Sequence, residues 1–113
     1  MSINYLELLG TRFCAPDEKI ILFCAVKLAK KQTKPIDIDH VINYYNALCD
    51  KYKIVPMPHQ YIRHAISSLS LTGVLKVKND KITHVGFQGC KLEETEEALY
   101  KDHDIEVFRN YSD

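Results

Sequence analysis

Residues 58–73 of this chain run without a linker into an alternating pattern over residues 74–87, and this junction restricts the fold more than any other stretch. Ile62, Ala65, Ile66 and Leu69 recur at i, i+3, i+4 and i+7, the spacing of one buried helical face. At about 100° per residue, Gln60, Arg63, His64 and Ser67 then face outward, with Ser68 at the margin. Gly73 supplies a left-handed C-terminal cap. Val74, Leu75, Lys76, Val77 and Lys78 alternate into a strand, Asn79-Asp80 is a two-residue turn signal, and the stretch from Lys81 to Phe87 returns as the partner strand. Lys76, Lys78 and Lys81 therefore gather near the tip of a ribbon. A helix closed by glycine and joined directly to such a ribbon presents side chains to a partner, so binding rather than catalysis is the first expectation.

The upstream residues supply the support for that helix. Pro16 occupies a position tolerated at the first helical residue, and Asp17 and Glu18 follow where the helix dipole favours negative charge. A helix over Pro16–Lys31 is predicted. Its Ile20, Ile21, Phe23, Cys24, Val26 and Leu28 make it too apolar for a surface helix, so it is expected at the centre of the core, with Lys30, Lys31 and Lys34 marking a solvated end. Ile36-Asp37-Ile38 forms a turn or a one-bridge strand, and Asp37 or Asp39 can cap a second helix. Val41, Ile42, Tyr45, Leu48, Cys49 and Tyr52 form a single stripe, so this helix extends to about Lys53. Pro56 and Pro58 force a turn into the third helix, completing a helix-turn-helix outline. Tyr44, Tyr45, Tyr52 and Tyr61 invite a base-stacking role, but two of them lie on the core stripe and read better as core rim.

The segment after the ribbon, from Leu92 to about Tyr100, is amphipathic with four glutamates in its first turns. Asp102 or Asp104 then opens a further short helix carrying Ile105 and Phe108. The order of elements is mainly α with a small β-wing, a winged helix-turn-helix. Its predicted organisation is an N-terminal extension packing on the core (1–15), the winged-helix domain with its C-terminal helix (16–104) and an acidic tail or short final helix (105–113). At 113 residues the chain makes one domain that buries a core without disulfide or metal staples.

Charge is divided along the chain: residues 1–90 carry twelve Lys/Arg against seven Asp/Glu, a balance of +5, and residues 91–113 carry three against eight, a balance of −5. A basic body with an acidic end can bind an anionic partner while the end limits non-specific attraction or docks on protein; the alternative is a solvated amphipathic helix. No apolar run approaches the roughly 20 residues of a membrane span, and Met1-Ser2-Ile3-Asn4 lacks the features of a signal peptide, which points to a reducing intracellular compartment. Cys14, Cys24, Cys49 and Cys90 form no C-x-x-C pair and are expected as buried or half-buried free thiols. The chain has no phosphate-binding glycine loop, no nucleophile elbow and no H-E-x-x-H pair. His59 and His64, five apart, do not share a helix face for a metal. No catalytic residue, metal or cofactor is therefore expected. Gln60, Arg63, His64 and Ser67 suit contact with base edges or phosphates from the major groove. Lys76, Lys78 and Lys81 suit phosphate contact or, alternatively, blunt an exposed strand edge. With one arginine on the helix, such a surface binds DNA weakly alone and gains from avidity in a larger assembly.

The chain resembles the C-terminal winged helix of the AAA+ replication initiators, which include the largest subunit of the origin recognition complex and the related cell-division-control helicase loader. The resemblance rests on Asp17-Glu18-Lys19-Ile20-Ile21-Leu22 opening the first helix and on Val41-Ile42-Asn43-Tyr44-Tyr45-Asn46-Ala47-Leu48-Cys49 in the second. It continues in Ile66-Ser67-Ser68-Leu69-Ser70-Leu71-Thr72-Gly73-Val74-Leu75 entering the wing, and in Glu96-Glu97-Ala98-Leu99-Tyr100-Lys101-Asp102. It implies a non-enzymatic piece of a nuclear ATPase that contacts double-stranded origin DNA, other initiator-complex subunits and the replicative helicase being loaded. A protein-docking winged helix without DNA readout and a stand-alone dimeric regulator are the alternatives.

Overall fold

The computed structural model describes residues 16–32, 35–86 and 90–111, so the expected extension over 1–15 lies outside the described residues. Helix α1 (Pro16–Lys31) carries acidic residues in its first turn and basic ones in its last, matching the dipole at both ends. From Lys19 to Val26 every residue is buried, which makes α1 the axis on which the other elements pack.

A two-residue strand, β1 (Ile36–Asp37), leads directly into α2 (Ile38–Tyr52). The expected stripe faces the core, with Val41, Tyr45, Leu48 and Cys49 fully enclosed. Asp37 occupies the N-cap position, but its side chain makes no capping bond; it reaches Lys81 instead. At the other end Lys53 adopts a left-handed conformation (φ 58°), and Ile54 N–H closes the helix on the Cys49 carbonyl at 2.8 Å. The proline-bounded turn that follows is anchored by Met57 N–H, which donates to the buried Tyr45 hydroxyl at 3.1 Å.

Helix α3 (His59–Leu71) buries Ile62, Ala65, Ile66 and Leu69, the four residues expected from their spacing. Gly73 just beyond it takes φ +85°, the left-handed turn that redirects the chain into the wing. Strands β2 (Leu75–Lys78) and β3 (Lys81–Val85) pair antiparallel, and Asn79 and Asp80, with φ 54° and 60°, make the tight turn whose twist suits a hairpin. The expected two-stranded ribbon has a third member: β1 pairs with β3, giving the order β1-β3-β2. Ile36 is fully buried, so this short strand closes the edge of the sheet that faces the helices.

Helix α4 (Leu92–Tyr100) is capped by Glu94, whose carboxylate accepts from Lys91 N–H at 2.9 Å. Helix α5 (His103–Glu106) is capped by Asp102, which accepts from Asp104 N–H. Ile105, Phe108 and Tyr111 then return to the core, where Phe108 stacks on Phe23 at 5.8 Å and meets Tyr52 edge-on at 4.9 Å.

The acidic end is pinned to α1 by charge as well as by packing. The Lys19 ammonium sits 3.0 Å from Asp102 and 3.1 Å from Asp104, with side chains only 7%, 8% and 27% exposed. Burial would lower the Lys19 pKa, but the bonds and charges of the two carboxylates outweigh it and hold it above the ordinary value. Glu96 meets Lys30 at 2.8 Å and Lys27 at 3.7 Å and accepts from the Tyr100 hydroxyl at 3.1 Å. Burial would raise the Glu96 carboxyl; Lys30, Tyr100 and Lys27 overcome it and keep it below the ordinary range. Burial and the Glu96 charge push the Tyr100 phenol up to about 12. Lys30 is exposed, as expected of a solvated end, and also an anchor; three carboxylates of the acidic end, Glu96, Asp102 and Asp104, are thus neutralised by α1 lysines. Among the described residues, no helix is long and apolar enough to cross a membrane.

Candidate nucleic-acid interface

The inward stripe of α3 fixes its rotation, so Gln60, Arg63, His64 and Ser67 are all exposed, together with Tyr61 and Leu71. Lys76, Lys78 and Lys81 are exposed on the wing. Lys78 stands directly opposite Lys81 beside the turn, and Lys76 opposite His84. Two like charges facing across a ladder repel. Asp37, the partner of Lys81 on β1, relieves this pair: its carboxylate accepts from the Lys81 ammonium at 2.9 Å and is held below the ordinary carboxylate range by that bond and charge.

The seven expected contact residues do not form one surface. Val77 lines a groove between α3 and the wing, together with Ile66, Ser67 and Leu71 of α3 and Ile38 of α2. Strand alternation then turns Lys76 and Lys78 to the opposite face of β2, away from that groove. Among the described residues neither lysine has an ion-pair partner. Arg63 lies between the groove and a shallow depression formed by Pro58, His59 and Gln60 at the start of α3.

Arg63 is not alone. Its guanidinium lies 3.6 Å from Asp39 and 3.9 Å from Asp80, with side chains 45%, 73% and 84% exposed. These carboxylates reach it because Ile38 N–H donates to the Asp80 carbonyl at 3.3 Å, tying the start of α2 to the wing turn. At the α3 face two carboxylates, Asp39 and Asp80, thus oppose Arg63, while Asp37 pairs with Lys81 on the face that Lys81 shares with Lys78. Asp39 can cap a helix and Asp80 belongs to a turn, so neither announces an ion pair in the sequence. The start of α2 is set beside the wing turn by the pairing of β1 with β3, and a two-residue strand has no periodicity to announce it.

Chemistry other than binding has little support in the geometry. Cys24 and Cys49 are buried, and burial pushes both thiols up, away from the reactive thiolate. Cys90 is half-buried. Asp102, His103 and Asp104 bring ligand-type atoms within 4.8 Å of one another, but the Lys19 ammonium already occupies the carboxylates. Tyr44 and Tyr45 are core residues, and Tyr61 alone of the four tyrosines is well exposed.

The family model described as the CDC6, C terminal winged helix domain, matches residues 11–97. No curated protein and no solved structure matches the chain at a significant level.

Proposed function

Because the chain belongs to the family of CDC6 C-terminal winged helix domains, a non-catalytic domain separate from the family's ATPase, we propose that it is the DNA-associated winged helix of a nuclear replication initiator. In this reading it contributes one weak contact to origin DNA and packs against other initiator subunits and the replicative helicase during loading. The observation that carries the reading is the pair Lys76 and Lys78, exposed on the wing and without an ion-pair partner among the described residues; Gln60, His64 and Ser67 are exposed on α3, on a separate face. Such side chains meet phosphate and base edges without first giving up an internal bond.

Titrating a short labelled duplex at two salt concentrations tests it. Lys76→Ala with Lys78→Ala should weaken binding and flatten the dependence of log K on log salt by about 2, close to one counterion for each lost phosphate contact. Absence of duplex binding by the wild type at low salt would sink the reading.

A second reading, docking on protein, draws on the apolar groove beside Arg63 and on Leu71, which is 89% exposed at its rim. Leu71→Asp should then weaken incorporation into the assembled initiator while leaving duplex binding unchanged.

A further inference from the structure

We infer that Asp39 and Asp80 set the affinity of this domain for DNA by competing with phosphate for the Arg63 guanidinium. The inference rests on the DNA reading above and concerns how that same face is tuned. Three stretches remote in sequence converge at Arg63: the first turn of α2, the middle of α3 and the turn of the wing. Their convergence is built into the backbone through the Ile38 N–H to Asp80 carbonyl bond.

The geometry is that of a loose clamp. Nη2 of Arg63 faces Asp39 at 3.6 Å and Nη1 faces Asp80 at 3.9 Å, so both arms of the fork point at carboxylate. These contacts are long and wet, and solvent-exposed ion pairs of this kind hold a side chain weakly. A phosphate that accepts two short bonds from the same fork is the better ligand. To reach it, however, the phosphate must come close to two carboxylates of its own sign, which stay in place whatever Arg63 does. Lys81 offers little compensation, since Asp37 holds its ammonium at 2.9 Å. Lys76 and Lys78, which share a face of the sheet with Lys81, hold no carboxylate of their own among the described residues. The contact surface is therefore divided into a wing flank that attracts the DNA backbone and an arginine that engages only when a phosphate or base edge displaces its carboxylates.

Asp39→Asn combined with Asp80→Asn tests this in the full chain. Both side chains are exposed, and asparagine tolerates the left-handed conformation of the turn, so the fold should survive. By anisotropy of a short labelled duplex, the double variant should bind about tenfold more tightly at low salt, with a salt slope steeper by about 1, the signature of one added phosphate contact. The gain should vanish when Arg63→Ala is added. Glu93→Gln with Glu97→Gln on α4, which changes the formal charge equally, should produce much less tightening. Equal tightening in the Arg63→Ala background, or from the α4 pair, would overturn the inference, because net charge would explain it. A wild type that binds through Lys76 and Lys78, with a double variant that binds no tighter, overturns the inference and leaves the DNA reading standing. Loss of all binding, in wild type and double variant alike, removes both.

Discussion

Lys19 and Arg63 each face two carboxylates from elsewhere in the chain, yet the two sites differ in kind. At Lys19 the bonds are short, the groups are buried, and the partners come from the segment that closes the core. At Arg63 the contacts are long, the groups are wet, and the partners sit beside the groove between α3 and the wing. The same ion-pair chemistry is architecture in one place and an exchangeable contact in the other. Burial decides between them, because water and salt weaken an exposed pair while a buried one cannot be broken without stranding a charge.

The contrast can be broken from the buried side. Lys19→Met leaves Asp102 and Asp104 without their cation and should lower the unfolding free energy by about 3 kcal/mol, measured by urea denaturation. The seam between the wing and the acidic end is the next point of attack. Gly86 is buried at φ +135°, and a side chain there would bring Cβ to 3.3 Å from the Thr95 hydroxyl. Gly86→Ala should cost about 2 kcal/mol in the same assay. Glu96→Gln keeps the shape but not the charge beside Lys27 and Lys30, and a loss of about 1 kcal/mol at neutral pH is expected. The folded Glu96 carboxyl titrates below the ordinary value of 4.5, so its contribution is complete above that pH and is lost as the pH falls through the lower folded value. Melting temperatures of wild type and Glu96→Gln should therefore converge at the acid end. At the exposed side, Arg63→Ala should alter stability by no more than about 0.5 kcal/mol, within the range of a surface ion pair. A large loss there would mean that Arg63 is a structural residue after all.

Much of the fold was legible because its signals are local. Pro16 and Lys31 bound α1, the stripe from Ile62 to Leu69 sets the rotation of α3, and Asn79-Asp80 marks the wing turn. Each depends on residues within one or two turns of one another. What the sequence could not convey is who meets whom at long range. Lys19 and Asp104 are 85 positions apart, and Lys30 and Glu96 are 66 apart. The charge asymmetry about residue 90 is plain in the sequence, but the pairing of Glu96, Asp102 and Asp104 with α1 lysines required the packed structure. The outward face of α3 was readable for the same local reason as its inward one. The carboxylates beside it were not, since Asp39 follows β1, two residues with a pairing partner some 45 positions away, and Asp80 comes from the wing turn.

The third strand has a consequence for how the domain meets any partner. With β1 bonded to Lys81 and Ile82 of β3 and Ile38 tied to the Asp80 carbonyl, the wing is braced near its tip, the end that a bare hairpin leaves loose. A free hairpin would lose many conformations on docking, a penalty taken directly from affinity. Here that loss of freedom is incurred once, when the chain folds, and a weak set of contacts can still register as binding because the surface carrying them is already held in shape.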